Sequence, residues 1–236
     1  MNIRVSSIRA IASRLPAVIP LLSDKARYII ASARATEYKT YDYYLSTLQN
    51  LVESVYNGYT GGGFIDIMAN LISGQLSQAF RQAWTDDGDG GAFPDYLQPP
   101  LEDMILSEYD HVDGFYRDIV DARVDELPID GLLARCPLWA QRWIEAYNLA
   151  VSLIVKQAGG NLMWELGATE QHCPECAALN GIVARASEWE ALGVRPQGAP
   201  NALLTCGGWQ CDCKLSPTDK RRSPDAYGRI MDIVSK

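Results

Sequence analysis

The segments HCPECAALNG (172–181) and CGGWQCDCKLSP (206–217) gather five of the chain's six cysteines between positions 173 and 213. In Cys173-Pro-Glu-Cys176 two thiols are separated by two residues, the spacing at which one tight turn aims both sulfurs at a single tetrahedral centre. Some thirty residues on, Cys206 and the pair Cys211-Asp-Cys213 supply the rest of a zinc-ribbon ligand set. Gly207 and Gly208 allow the tight path a second knuckle needs. Cys173, Cys176 and Cys211 are the ligands the spacing supports first. The fourth is Cys213 or Cys206, and spacing leaves that choice open. His172 is read as a neighbour, because adjacent residues rarely reach one tetrahedral ion. Zinc held by four thiolates has no vacancy for water, so such a site is structural and activates nothing. Disulfides are the main competing chemistry, and they fit a life in an extracellular particle. A redox-active Cys-Pro-Glu-Cys pair lacks the strand-to-helix context such motifs need, and an iron-sulfur cluster is a further alternative. Cys136 stands apart beside Pro137 and reads as a buried thiol.

Around these cysteines the pattern predicts little regular structure. Residues 162–166 read as a strand, 181–183 as a second short one, and 187–192 as a brief helix. The run 193–200 is rich in Gly and Pro. A segment of this kind has a thin core and needs a staple, which zinc provides.

Upstream, helix signals dominate. Ser23 and Asp24 suit a helix start, and Tyr41, Tyr44, Leu45, Leu48, Leu51, Val52 and Val55 recur at three- and four-residue steps towards Tyr56 and Gly58. Tyr43 lies off that stripe and reads as a contact residue. Further helices are predicted over 64–84, from Pro99 and Pro100 to about Leu127, and from Pro137 to Gly159. The DDGDGG run at 86–91 reads as a loop, without the bidentate Glu and flanking spacing of a calcium site. Four long helices with short connections argue for an antiparallel bundle. The fold class expected is therefore mainly α: a long-helix bundle over 1–160, a small cysteine-rich α+β zinc-binding module over 161–217, and a basic tail over 218–236.

The stretch from Trp164 to Pro217 resembles the C-terminal signature of phage minor head proteins, the Mu F-like head-morphogenesis family. The resemblance rests on Trp164, Cys173 with Cys176, Leu179 with Gly181, and Cys211 with Cys213 followed by Leu215 and Pro217. It covers about fifty residues strictly and the helical part in outline. One departure stands out: the family places His-Pro before the closing Cys-x-Cys, where this chain has Cys206 and Gly207-Gly208-Trp209. The chain is also short for the family. The resemblance implies a structural protein present in few copies, bound to phage portal or capsid proteins, acting in head morphogenesis or DNA delivery. It implies assembly in the host cytoplasm and then residence in the virion.

Charge and motifs narrow the alternatives. The net charge is -8, and residues 85–126 carry thirteen acidic side chains against Arg117 and Arg123. An acidic body repels a phosphate backbone, so free duplex DNA is an unfavourable main ligand. Lys220, Arg221, Arg222 and Arg229 near the end offer a local contact for packaged DNA or an acidic rim. A nucleic-acid-binding zinc-ribbon protein is the alternative function, with Trp189, Trp209 and those basic residues as its face. The start of the chain is a poor secretory signal, because Arg4, Arg9 and Arg14 are scattered and Pro16 and Pro20 break the apolar stretch. A reducing cytoplasm is expected, with no membrane span. Only His111 and His172 are present, without a phosphate-binding loop, a Gly-x-Ser-x-Gly or a His-Glu-x-x-His motif, and no enzyme is expected.

Overall fold

The computed structural model describes residues 41–59, 63–168, 171–198, 200–208 and 211–235. The expected helix start at Ser23 and Asp24, the basic residues of the first 27 positions, and Trp209 lie outside the described residues. The helices are α1 (Tyr41–Tyr56), α2 (Phe64–Asp87), α3 (Gln98–Val124), α4 (Asp130–Leu133), α5 (Cys136–Gln157), α6 (Pro174–Leu179), α7 (Ala186–Ala191) and α8 (Ala226–Val234). Three strands accompany them: β1 (Asn161–Glu165), β2 (Val183–Arg185) and β3 (Lys214–Thr218). The protein is mainly helical, with a small sheet and a cysteine cluster near its C-terminus, as the sequence pattern predicts. No helix of the described residues is long and apolar enough to cross a membrane.

The helix boundaries follow local chemistry. In α1, Tyr44, Leu48, Leu51, Val52 and Val55 are buried on one stripe, and Gly58 closes the end at φ 84° with its N–H on Val55 O. α2 continues past the expected end at Trp84, because Gln82 donates to the Asp86 carboxylate one turn on, at 2.9 Å. Asp86 and Asp87 are therefore helical, and the loop is shorter than predicted. Pro99 and Pro100 occupy the first turn of α3, where a missing N–H leaves no helical bond unmade. That helix stops at Val124 rather than Leu127, since Glu126 takes φ 55° and the Leu127 N–H returns to Ala122 O. The short helix α4 forms in the connection to α5, where no helix was expected.

The chain divides into two compact units. The first comprises the described residues 41–78 and Glu102–Arg142. Leu48, Leu51, Phe64, Met68, Leu76, Phe115 and Ile119 form its core, each at most 1% exposed. Phe115 stacks on Trp139 with ring centroids 6.0 Å apart. Gln75 donates to the carbonyls of Trp139 and Ala140. Glu108 departs from the expected solvated acidic face of α3: it is 6% exposed and forms an ion pair with Arg142.

The second unit comprises Ala79–Leu101 and Trp143–Lys236. Its sheet has the order β2-β1-β3 with both pairings antiparallel. Leu162 stands between Ala184 and Pro217, and Trp164 is opposite Leu215. Pro217 is tolerated because β3 is an edge strand, bonded on one side only. The second strand lies two residues later than predicted. Gly181, at φ 78°, and Ile182 are taken up in the turn after α6, with the Gly181 N–H on Trp164 O.

The thin core expected for this region is not what forms. Leu162, Trp164, Leu179, Trp189, Val194 and Ile230 are each at most 2% exposed, and the two tryptophan rings pack with centroids 5.7 Å apart. Residues 218–235 do not form a free tail either. α8 buries Ala226 and Ile230 against α6 and β2, and the Ser223 N–H bonds Val183 O at 2.8 Å. The amphipathic spacing of Ala226 and Ile230 carries that signal, which the net positive charge of the segment masked.

Candidate metal centre

Cys173 is the N-cap of α6, with Pro174 at the first helical position. Its sulfur accepts the Cys176 N–H at 3.4 Å, so the first turn of α6 places the two sulfurs side by side. The second stretch is held to α6 by Glu175, whose carboxylate accepts the Thr205 N–H at 3.0 Å and the Thr205 hydroxyl at 2.9 Å. The amide of Thr205 is the main reason the Glu175 carboxyl lies below its usual range. Successive left-handed glycines, Gly207 at φ 63° and Gly208 at φ 76°, then turn the chain back, and the Gly208 amide favours the Cys206 thiolate. Cys206 reaches Cys173 with a sulfur–sulfur distance of 3.7 Å.

The third arm comes from the sheet. β3 begins just after Cys213, and its pairing with β1 brings the Cys211–Cys213 segment over the residues that follow β1. The backbone amide of Gly167 favours the Cys213 thiolate, and that of Cys213 the Cys211 thiolate. Cys176 and Cys211 stand 4.0 Å apart, and His172 Nδ1 is 3.8 Å from the Cys213 sulfur. A tetrahedral centre with metal–sulfur bonds of about 2.3 Å has sulfur–sulfur edges of about 3.8 Å. The observed spacings match that edge. They are far longer than a disulfide's roughly 2.05 Å, and all six cysteines are free thiols.

The structure thus brings together all five cysteines that the sequence singled out. They form two groups, Cys173-Cys176-Cys206 and Cys176-Cys211-Cys213, each with its sulfurs within 4.8 Å of one another. Either group can hold a metal ion. Cys136 lies elsewhere, fully buried, with burial raising its thiol to about 11 and its S–H directed to Leu132 O.

Electrostatics explain why such a cluster favours a cation. A hydrogen bond from the Cys176 thiol lowers Cys211 to about 6, while the same contact pushes Cys176 upward. Burial raises Cys206 to about 11 and also raises Cys213. Packed sulfurs sharing one small volume cannot all ionise on their own, and a divalent cation removes that conflict. The backbone N–H groups on Cys173, Cys206, Cys211 and Cys213 are the outer support that orients thiolate ligands.

Two contributors were not legible beforehand. Glu175 looked like a spacer within the Cys-x-x-Cys, and Gly167 carried no motif. A Cβ on Gly167 would lie 2.1 Å from Asp212 Cβ and 2.4 Å from its carbonyl carbon, so the backbone between two of the cysteines rests on this glycine. Gly167→Ala is expected to displace Cys211 and Cys213 and to weaken metal binding by about 10–100-fold, the usual scale for a lost supporting contact. Cobalt(II) titration, followed by its thiolate absorption, measures this; an unchanged affinity contradicts it.

A separate cavity of about 280 Å³ lies among Leu149, Leu153, Trp189, Val194, Arg195 and Leu215. Its edge is fixed by Arg195, which donates to the buried Glu145 at 3.0 Å.

No family model matches the chain, and no curated protein or solved structure matches it.

Proposed function

We propose that this protein is a structural minor head protein of a phage, carried at the portal or inner capsid, with a zinc ion centre that shapes its C-terminal module. The observation that carries the proposal is the convergence of the residues on which the resemblance rests. Trp164 and Leu179 are fully buried, Leu215 pairs across the sheet with Trp164, and Gly181 turns back onto Trp164 O. Cys173, Cys176, Cys211 and Cys213 belong to one cluster, with Cys206 beside them where the family has histidine. Zinc suits an all-thiolate or thiolate-imidazole donor set, which selects soft or borderline ions over magnesium or calcium. The role is binding and shape rather than catalysis: thiolate ligands from three chain segments rigidify the module, and the helices supply docking surfaces. The chain assembles in the host cytoplasm and passes into the virion.

Two features weigh against the nucleic-acid-binding alternative. Trp189, expected on an exposed aromatic face, is 2% exposed and donates its ring N–H to Leu162 O. Arg222, one of the four basic residues expected to touch a partner, is engaged by Glu188. Lys220, Arg221 and Arg229 are exposed. Changing these three to Ala is expected to weaken association with phage heads, with the loss shrinking as salt rises. Co-sedimentation with assembled heads measures it, and wild-type incorporation at every ionic strength removes the partner-contact role. Failure of the unmodified chain to co-purify with portal, capsid or heads removes the minor-head reading itself.

A further inference from the structure

We infer that the cysteine cluster is a two-ion centre in which the Cys176 thiolate bridges the ions, a deepening that rests on the metal reading above. A single tetrahedral ion with four thiolates needs all six sulfur–sulfur edges near one length, about 3.8 Å. The sulfurs here are arranged differently. They form two sets of three, and Cys176 belongs to both. Each set is one face of a tetrahedron: Cys173, Cys176 and Cys206 cap one ion, and Cys176, Cys211 and Cys213 cap the other.

Cys176 has the surroundings a bridge requires. It is 1% exposed, and its neighbours are sulfurs: Cys211 at 4.0 Å and Cys173 in the same helical turn. The Cys173 sulfur accepts the Cys176 N–H, and backbone amides favour the thiolates of Cys206, Cys211 and Cys213, the support suited to a terminal thiolate. A central thiolate takes its compensating charge from two cations instead.

The donor and charge counts are consistent. His172 Nδ1 lies 3.8 Å from the Cys213 sulfur, beside the second set though outside it, whereas its sequence neighbour Cys173 belongs to the first set. The objection that adjacent residues cannot share one tetrahedral ion then disappears, because they serve different ions. With Cys176 as the one bridge and His172 on the second ion, six donors fill seven of the eight positions of two tetrahedra, and solvent takes the eighth. On loading, five thiols lose five protons to solvent and His172 contributes a neutral lone pair. Five negative thiolates and two divalent cations leave a net charge of −1, against −3 for five thiolates around one ion.

The test uses the full chain, purified without oxygen and supplied with zinc, with metal measured by mass spectrometry against amino-acid analysis. Two zinc ions per chain are expected. Exchange with cadmium-113 is expected to give two resonances that split each other through the bridging sulfur. His172→Ala is expected to lower the affinity of one ion while the other stays bound, which keeps the inference testable where Cys176→Ser does not fold. Cys176→Ser, where it folds, is expected to lose pairwise splitting and at least one ion. One zinc per chain with a single cadmium resonance overturns the two-ion centre and leaves the metal reading standing. No bound zinc overturns both.

Discussion

Glu108→Ala is expected to destabilise the helical unit by about 3–5 kcal/mol, the scale for breaking a buried ion pair. Glu108 on α3 is 6% exposed, and the Arg142 side chain that it meets on α5 is 18% exposed. Neither charge can return to water without opening the helix packing. For a chain of this size the loss corresponds to a fall in melting temperature of roughly 10 °C, measurable by calorimetry. The double replacement Glu108→Met with Arg142→Met is expected to recover most of it, because packed apolar side chains often substitute for a buried ion pair at little cost. A single substitution that leaves the melting temperature unchanged contradicts the burial of the pair.

That pair also shows where sequence reading stops. The stripes of α1, α2 and α5 were legible because their apolar residues recur with the helical period, and α1 and α5 end at Gly58 and Gly159. The acidic residues of α3 look alike in sequence. Which of them turns inward depends on Arg142, more than thirty positions away, and periodicity carries no such information. The metal centre was legible as a set of cysteines, since thiols paired at these spacings have few other uses. Its internal arrangement was not. Cys176 sits between two groups because the first turn of α6 aims it inward, while Glu175 tethers the Cys206 arm and Gly167 admits the Cys213 arm. These are contacts between distant segments. β3 was missed because its sequence, KLSPT, combines a lysine and a proline suited to an edge, and α8 because the basic residues before it, Lys220, Arg221 and Arg222, drew attention from its two buried residues.

Removal of the metal is the second large effect. In small zinc-finger peptides the apparent binding free energy is about 10–16 kcal/mol at neutral pH, and it is the folding energy of the domain. Here the sheet, Trp164, Trp189 and α8 form an apolar core of their own. Chelation is therefore expected to release the cysteine-bearing segments, residues 171–176, 204–208 and 211–213, without unfolding β1 and β2. Hydrogen exchange should show protection at those loops falling by orders of magnitude, while the amides of Trp164 and Ala184 stay protected. Loss of protection throughout 143–235 would mean that the metal, not the core, organises the whole module. Unaltered protection of the loops would mean that the cluster has no structural task.

The central claim is that sulfurs from the two cysteine stretches meet around metal. X-ray absorption at the zinc edge, on protein purified without oxygen, tests it most directly. The account predicts a first shell dominated by sulfur at about 2.3 Å. A metal-free protein whose 171–213 region remains folded, or a shell of oxygen and nitrogen without sulfur, contradicts it.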